Sequence, residues 1–190
     1  MRLVHDKSLM VIVDLQAGLL PVVANGDQAV KEAAWLGGLA GSLEVPVWVT
    51  EQYPEALGGS EPRLLDALPG HRLWQKAHFG AHDEPDFAAA LAESGRQQII
   101  LCGAEAHICV MQTGLGLLEA GYEVYWLMEA TASRRVAEAR LARERMVQAG
   151  AVPVSADMVA YEWLNRCDDE RFKYAHRRFL KQRSARPLVF

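Results

Sequence analysis

No apolar run in the sequence approaches the ~18–20 residues that a membrane span requires. Cysteine is scarce. Cys102, Cys109 and Cys167 are the three present, an odd number at wide spacing that fits neither a disulfide framework nor a zinc knuckle. Glycine (15) and proline (8) are too few in 190 residues for a collagen or low-complexity chain. Disorder is excluded in turn by a hydrophobic content of 51%. Met1–Lys7 has no long apolar h-region and no small-residue cleavage site. The expectation is a reduced, cytoplasmic domain that buries roughly 70% of its unfolded surface and folds without a metal or disulfides.

Charge of neither sign dominates, yet the net of −4 is uneven. Residues 1–169 hold 13 basic and 23 acidic side chains, whereas residues 170–190 hold seven basic and one acidic. A basic terminus can bind nucleic acid, but no recognition motif flanks this one. Phe172, Tyr174, Phe179 and Leu180 are interleaved with its charges. We read it as a terminal helix docked on an acidic body, residues 1–169, or on a neighbouring subunit.

The body alternates two periods. Leu9–Val13, Val45–Val49, Ile99–Cys102 and Tyr122–Leu127 read as strands buried on both faces of a parallel sheet. His71–Lys76 is a weaker strand and Ala151–Val154 an edge strand that tolerates Pro153. Helical stretches fall near 27–43, 85–94, 108–120 and 134–149. In the last of these, Val136, Ala139 or Leu141, and Met146 or Val147 are expected to face inward. Gly95, Gly121 and Gly150 stand where left-handed C-caps are wanted. The alternation predicts one α/β domain of Rossmann-like, three-layer build, a mostly parallel sheet with helices on both faces. In such sheets ligands bind outside the carboxyl ends of the strands. Two long loops, 52–63 and 77–85, overhang that edge.

Three reactive side chains fall there. Asp14 ends the first strand, Lys76 ends the third, and Cys109 follows the fourth at the start of a helix. Each alone has a plain structural reading as a helix cap, a solvated amine or a core thiol. Together they make a chemistry. A helix N-terminus and an ammonium both favour the thiolate, the nucleophilic form. Asp14 could take the thiol proton and pass it to a leaving group, with Lys76 holding the carboxylate. The loop Gly103–Cys109 could aim N–H groups at a developing oxyanion. The residues therefore describe a thiol hydrolase acting on an acyl or amide carbon.

Val13-Asp14-Leu15-Gln16, Gln75-Lys76-Ala77-His78-Phe79 and Gly103-Ala104-Glu105-Ala106-His107-Ile108-Cys109-Val110 resemble the motifs of the isochorismatase-like cysteine hydrolase superfamily. Val49–Pro54, Cys109–Thr113 and Glu129–Arg134 resemble its isochorismatase domain-containing subgroup. The likeness covers about residues 8–165, in order. It implies a triad of Asp14, Lys76 and Cys109, a cis peptide between Ala104 and Glu105, and an oxyanion hole from the N–H groups of Glu105 and Cys109. It also implies a homo-oligomer.

Gln16, Leu20, Gln52, Tyr53, Phe79 and Ile108 are the candidate pocket wall, since they lie on loops carrying or facing the triad. Relatives often have Thr at Ala106, Ser at Gly80 and an aromatic at Leu19. Where nicotinamidases place histidine metal ligands, this chain reads Glu51-Gln52-Tyr53-Pro54. We therefore expect no metal and no cofactor, and read His78 and His82 as loop residues and His107 as a loop or subunit contact. The leading expectation is a metal-independent hydrolase of a small amide, carbamoyl or related substrate through an acyl-enzyme on Cys109, with no nucleic-acid or membrane partner. The alternative is an assembly or interaction protein with a vestigial site.

Overall fold

Leu9–Val13 is apolar at every position, so a strand there needs cover on both faces. In the computed structural model, which describes residues 2–185 together with 187 and 188, that strand is β1 (Ser8–Val13), fully buried. Around it lie β2 (Val47–Gln52), β3 (Arg72–Lys76), β4 (Gln98–Ala104), β5 (Glu123–Ala132) and β6 (Val152–Val154). The sheet runs β3-β2-β1-β4-β5-β6 and every pairing is parallel. This is the Rossmann order, with its switch between β1 and β4. The chain is a single α/β domain.

Side chains of β1 alternate between two cores. Met10 and Ile12 pack with Leu36 and Leu39 of α1 (Gly26–Ser42) and with Val159 and Trp163 of a helix at Ala156–Leu164. Leu9, Val11 and Val13 pack on the other face with Phe87, Leu91, Leu117 and Met146. Those four come from helices Pro85–Glu93, Met111–Glu119 and Val136–Gln148. At the switch, Gly103 has φ +126° and lies so near β1 that a Cβ would sit 1.9 Å from the Val13 carbonyl oxygen. Only glycine fits there.

Boundaries differ from the sequence reading in places. β2 begins at Val47, not Val45, because Pro46 has no N–H for the ladder, although its carbonyl accepts from Met10 N at 2.9 Å. β5 runs on to Ala132 past an irregularity, its pairing with β4 resuming at Thr131. The helix expected from 108 starts as a π-helical turn at Ala106–Val110. In Val136–Gln148 only Ala142 and Met146 are buried, while Val136, Leu141 and Val147 are exposed, correcting their inward placement. The inward stripe is Ala139, Ala142 and Met146, spaced i, i+3, i+7. Helix Ala156–Leu164 was not anticipated, although Ser155 caps it by accepting from Met158 N at 3.2 Å.

The basic segment is helical over Glu170–Ala175, His176–Leu180 and Lys181–Arg183. It lies on the body of its own chain. Ala175 and Leu180 enter the core, and Trp35 Nε1 donates to the Phe179 carbonyl at 3.2 Å. Arg183 is buried against Glu32, Glu129 and Asp157, its guanidinium 4.2 Å from the Trp35 ring centroid. Met1, Arg186, Val189 and Phe190, which the sequence reading included in its two segments, lie outside the described residues.

Candidate active site

Asp14 follows β1 directly and sits in the left-handed region with φ +49°, an uncommon conformation for a non-glycine residue. Its N–H donates to the Thr50 carbonyl at 3.1 Å, and its own carbonyl accepts from Gln16 N at 2.8 Å. The carboxylate is fully buried. Oδ1 accepts from the Thr50 hydroxyl at 2.6 Å. Oδ2 lies 2.8 Å from Lys76 Nζ as an ion pair, but no donor is aligned on it for a hydrogen bond.

Lys76, the last residue of β3, is buried with its ammonium among acceptors. Besides Asp14 it reaches Gln52 Oε1 at 2.6 Å and the carbonyls of Phe79 and His78 at 3.1 and 3.3 Å. In the same loop, Glu84 Oε1 accepts from the Ala77 and His78 N–H groups at 2.8 and 2.9 Å and contacts His78 Nδ1. The same bonds, the His78 N–H first, hold the Glu84 carboxyl below the usual carboxylate range against the opposing effect of burial.

Cys109 lies in the π-helical turn between β4 and the following helix, 6% exposed. Its Sγ is 3.9 Å from Gln52 Oε1 and interacts with the side chains of both Asp14 and Lys76. Burial, then the Asp14 carboxylate, push the thiol up to about 12, outweighing the downward pull of Lys76. This corrects the expectation of a preformed thiolate. The Asp14 carboxylate thus opposes, and the Lys76 ammonium favours, the ionised form of the thiol. Cys102 is buried in β4 and also shifted upward by burial, while Cys167 is exposed.

The sequence model of the isochorismatase domain matches residues 8–158. The chain belongs to the isochorismatase family. It is 32% identical over 173 residues to isochorismatase domain-containing protein 2A of Mus musculus, covering 90% of this chain and 82% of that protein. The structure of the MAR1 ribonuclease of Caenorhabditis elegans superposes with a TM-score of 0.89 at 28% identity, over 100% of both chains. YcaC of Pseudomonas aeruginosa, with hexane-2,5-diol and covalent acrylamide, does so with a TM-score of 0.86 at 25% identity, over 96% of this chain and 94% of that one.

As the resemblance implies, the peptide bond between Ala104 and Glu105 is cis. The Glu105 side chain is buried on Arg134, accepting from its backbone N–H at 2.8 Å and its Nε at 2.9 Å. Burial alone would raise the Glu105 carboxyl, but these contacts hold it below the usual carboxylate range. At Gly80 a Cβ would meet Asp83 Oδ2 at 2.5 Å, and Ala106 is fully buried in the core beside Cys109.

The residues expected to line the pocket separate. Gln52 touches both Lys76 and Cys109. Ile108 packs on the same core as Cys109. Tyr53 and Phe79 are more than half exposed, each bound through its backbone to Lys76. Gln16 does not offer its amide to a ligand: Nε2 donates to the Gln52 and Gly58 carbonyls, and Oε1 accepts from Gln52 N. Leu20 packs instead on the α1 side of the sheet. His107 contacts Ser133 Oγ at 2.9 Å, and His82 packs edge-on against Tyr122. Among the described residues, no three His, Cys, Asp or Glu side chains are grouped to hold a metal ion.

A concavity lined by Gln28, Trp126, Met128, Val136, Arg140 and Arg143 lies elsewhere, beside β5, and includes none of Asp14, Lys76 and Cys109. Thr50 and Glu84 were missed from sequence. Thr50 had a usable signal, as the first polar residue at the carboxyl end of an apolar strand.

Proposed function

We propose that this chain is a metal-independent cysteine hydrolase of a small amide, carbamoyl or related substrate. Family membership supports hydrolase activity in general. The observation that carries the finer reading is the buried meeting of Asp14, Lys76 and Cys109 at the carboxyl edge of the sheet. Asp14 Oδ2 takes the thiol proton as Sγ attacks the carbonyl carbon, so the anion forms only with the new C–S bond. The N–H groups of Glu105 and Cys109 receive the developing oxyanion. Asp14 then returns the proton to the departing amine, leaving an acyl-enzyme. Water attacks that thioester, Asp14 accepts its proton, and the acid leaves as Sγ is reprotonated. Lys76 remains charged throughout and keeps the carboxylate in place.

The covalent acrylamide carried by the YcaC structure is consistent with a reactive centre in this fold. The test is intact-mass and peptide-mass detection of an adduct on Cys109 with acrylamide and with a panel of amides, carbamoyl compounds and esters. Adducts on wild type, absent from Cys109→Ala, are expected. Modification confined to Cys167 would overturn the reading. Because a similar structure is called a ribonuclease, single-stranded RNA belongs in the panel, and RNA cleavage that survives Cys109→Ala would count against a role for this site in it. Self-association is part of the same proposal. Leu141, Met158 and Tyr161 are each more than half exposed, and sedimentation should show a species heavier than the monomer.

A further inference from the structure

We infer that Thr50 is a positioning residue for the base, selecting which oxygen of Asp14 faces the nucleophile. The inference rests on the reading of Asp14 as the acceptor of the Cys109 proton. A carboxylate has two equivalent oxygens and can turn about its Cα–Cβ and Cβ–Cγ bonds, so a base that serves one thiol must be held in one rotation. Thr50 holds it from both ends. Its carbonyl accepts the Asp14 N–H at 3.1 Å, and its hydroxyl donates to Oδ1 at 2.6 Å. The first bond supports the left-handed backbone at Asp14, where φ is +49°. The second occupies Oδ1 and leaves Oδ2, beside Lys76 and without an aligned donor, as the oxygen available for the thiol proton.

The setting is rigid. Thr50 is fully buried in β2, paired with Val13 on one side and Trp74 on the other. A β-branched side chain in a buried strand has little freedom at χ1, so the hydroxyl is fixed where the carboxylate needs it. Its only role toward Asp14 is donation, since an ionised carboxylate offers no proton in return.

Thr50→Val is nearly isosteric and removes the donor. Thr50→Ser keeps the donor and removes a methyl group, and Thr50→Ala removes both. The readout is the rate of acrylamide addition to Cys109 against pH, followed by intact mass. In this reaction the S–H bond breaks, a C–S bond forms at the terminal alkene carbon, and the proton is delivered to the neighbouring carbon. Thr50→Val and Thr50→Ala should lower the plateau rate on the order of tenfold. Thr50→Ser should recover most of the rate.

If the hydroxyl only tuned charge, its loss would make Asp14 the stronger base, and the plateau would hold or rise. That result overturns positioning. So does a Thr50→Ser variant as slow as Thr50→Val, which would assign the effect to packing. A wild-type protein whose Cys109 takes up no acrylamide fails the hydrolase reading itself. That outcome is distinct from normal uptake unaffected by Thr50→Val, which fails this inference alone.

Discussion

Two buried cations organise this molecule, and their surroundings differ. Lys76 and Arg183 have side chains only 1% exposed, and each is paired with buried carboxylate. Each cluster also leaves one carboxylate oxygen without an aligned donor, Asp14 Oδ2 in one and Glu129 Oε2 in the other. Burial, charge and an unmatched oxygen therefore do not by themselves mark a site of chemistry. Arg183 uses its planar fork to join three elements, with Glu32 on α1, Glu129 on β5 and Asp157 beyond β6, while stacking on Trp35. Lys76 is a point charge among oxygens, and the carboxylate it holds interacts with a thiol. What separates the two is the Cys109 thiol, which interacts with the carboxylate of one cluster and has no counterpart among the residues named for the other.

The largest expected effect breaks that relation directly. Asp14→Asn and Cys109→Ala should each reduce turnover of an amide substrate about 10²–10⁴-fold, the usual contribution of a positioned general base or more. Asp14→Asn has a second consequence of opposite sign. The Asp14 carboxylate pushes the Cys109 thiol up, while Lys76 pulls it down. Removing the carboxylate leaves the ammonium to stabilise a thiolate, so the ultraviolet absorbance of the Cys109 thiolate should appear at lower pH in Asp14→Asn than in wild type. Slower hydrolysis with a lowered thiol midpoint would separate proton transfer from thiolate formation. Slower hydrolysis with an unmoved midpoint would show that the variant has lost the site geometry.

Much of this was legible because strand ends are. Apolar runs placed β1 and β4, and the polar residues following them, Asp14 and Cys109, had to emerge at one edge. Lys76 followed from the same logic at the end of a weaker strand. Other features needed the third dimension. Gln16 looks like a pocket residue from its place after β1, but its amide closes on the 52–58 backbone, a contact set by how two loops meet. The direction of the Cys109 shift was misjudged because a helix start and a lysine are visible in sequence, whereas burial and the competing Asp14 charge are not. Leu141 has the right residue type for an inward face and is exposed because the helix turns its Ala139, Ala142 and Met146 stripe to the core. Arg183 sits in a run of basic residues whose neighbours are exposed, with nothing local to distinguish it.

Arg183→Met sharpens the comparison from the structural side. It leaves Glu32 and Glu129 buried without their cation, and breaking such a pair costs about 3–5 kcal/mol. The loss should appear as a lower urea midpoint with little change in slope. The rate of acrylamide addition to Cys109 per folded molecule should stay at the wild-type value, since the partners described for Arg183, namely Glu32, Glu129, Asp157 and Trp35, include none of Asp14, Lys76 and Cys109. Adding Glu32→Gln and Glu129→Gln should recover part of the stability by removing the stranded charges. A rate that fell with Arg183→Met would mean that the C-terminal segment supports the site and that the clusters are not separable.

The smallest effect belongs to an ion pair intermediate between these two. Glu105 is buried like Asp14, but its partner Arg134 has a side chain 47% exposed, so water screens much of the attraction. Contacts with Arg134 hold the Glu105 carboxyl low in the fold. A carboxyl held low contributes stability above its unfolded value, near 4.3, and loses that contribution as pH falls through the folded value. Glu105→Gln should therefore cost up to about 1 kcal/mol at neutral pH. The difference from wild type should shrink as pH drops below about 4, when wild type also becomes neutral there. Urea titrations at pH 7 and at successively lower pH measure it. A difference that stayed constant with pH would show that Gln fails on shape and hydrogen bonding. Charge would then have no part in anchoring the residue whose N–H we assign to the oxyanion.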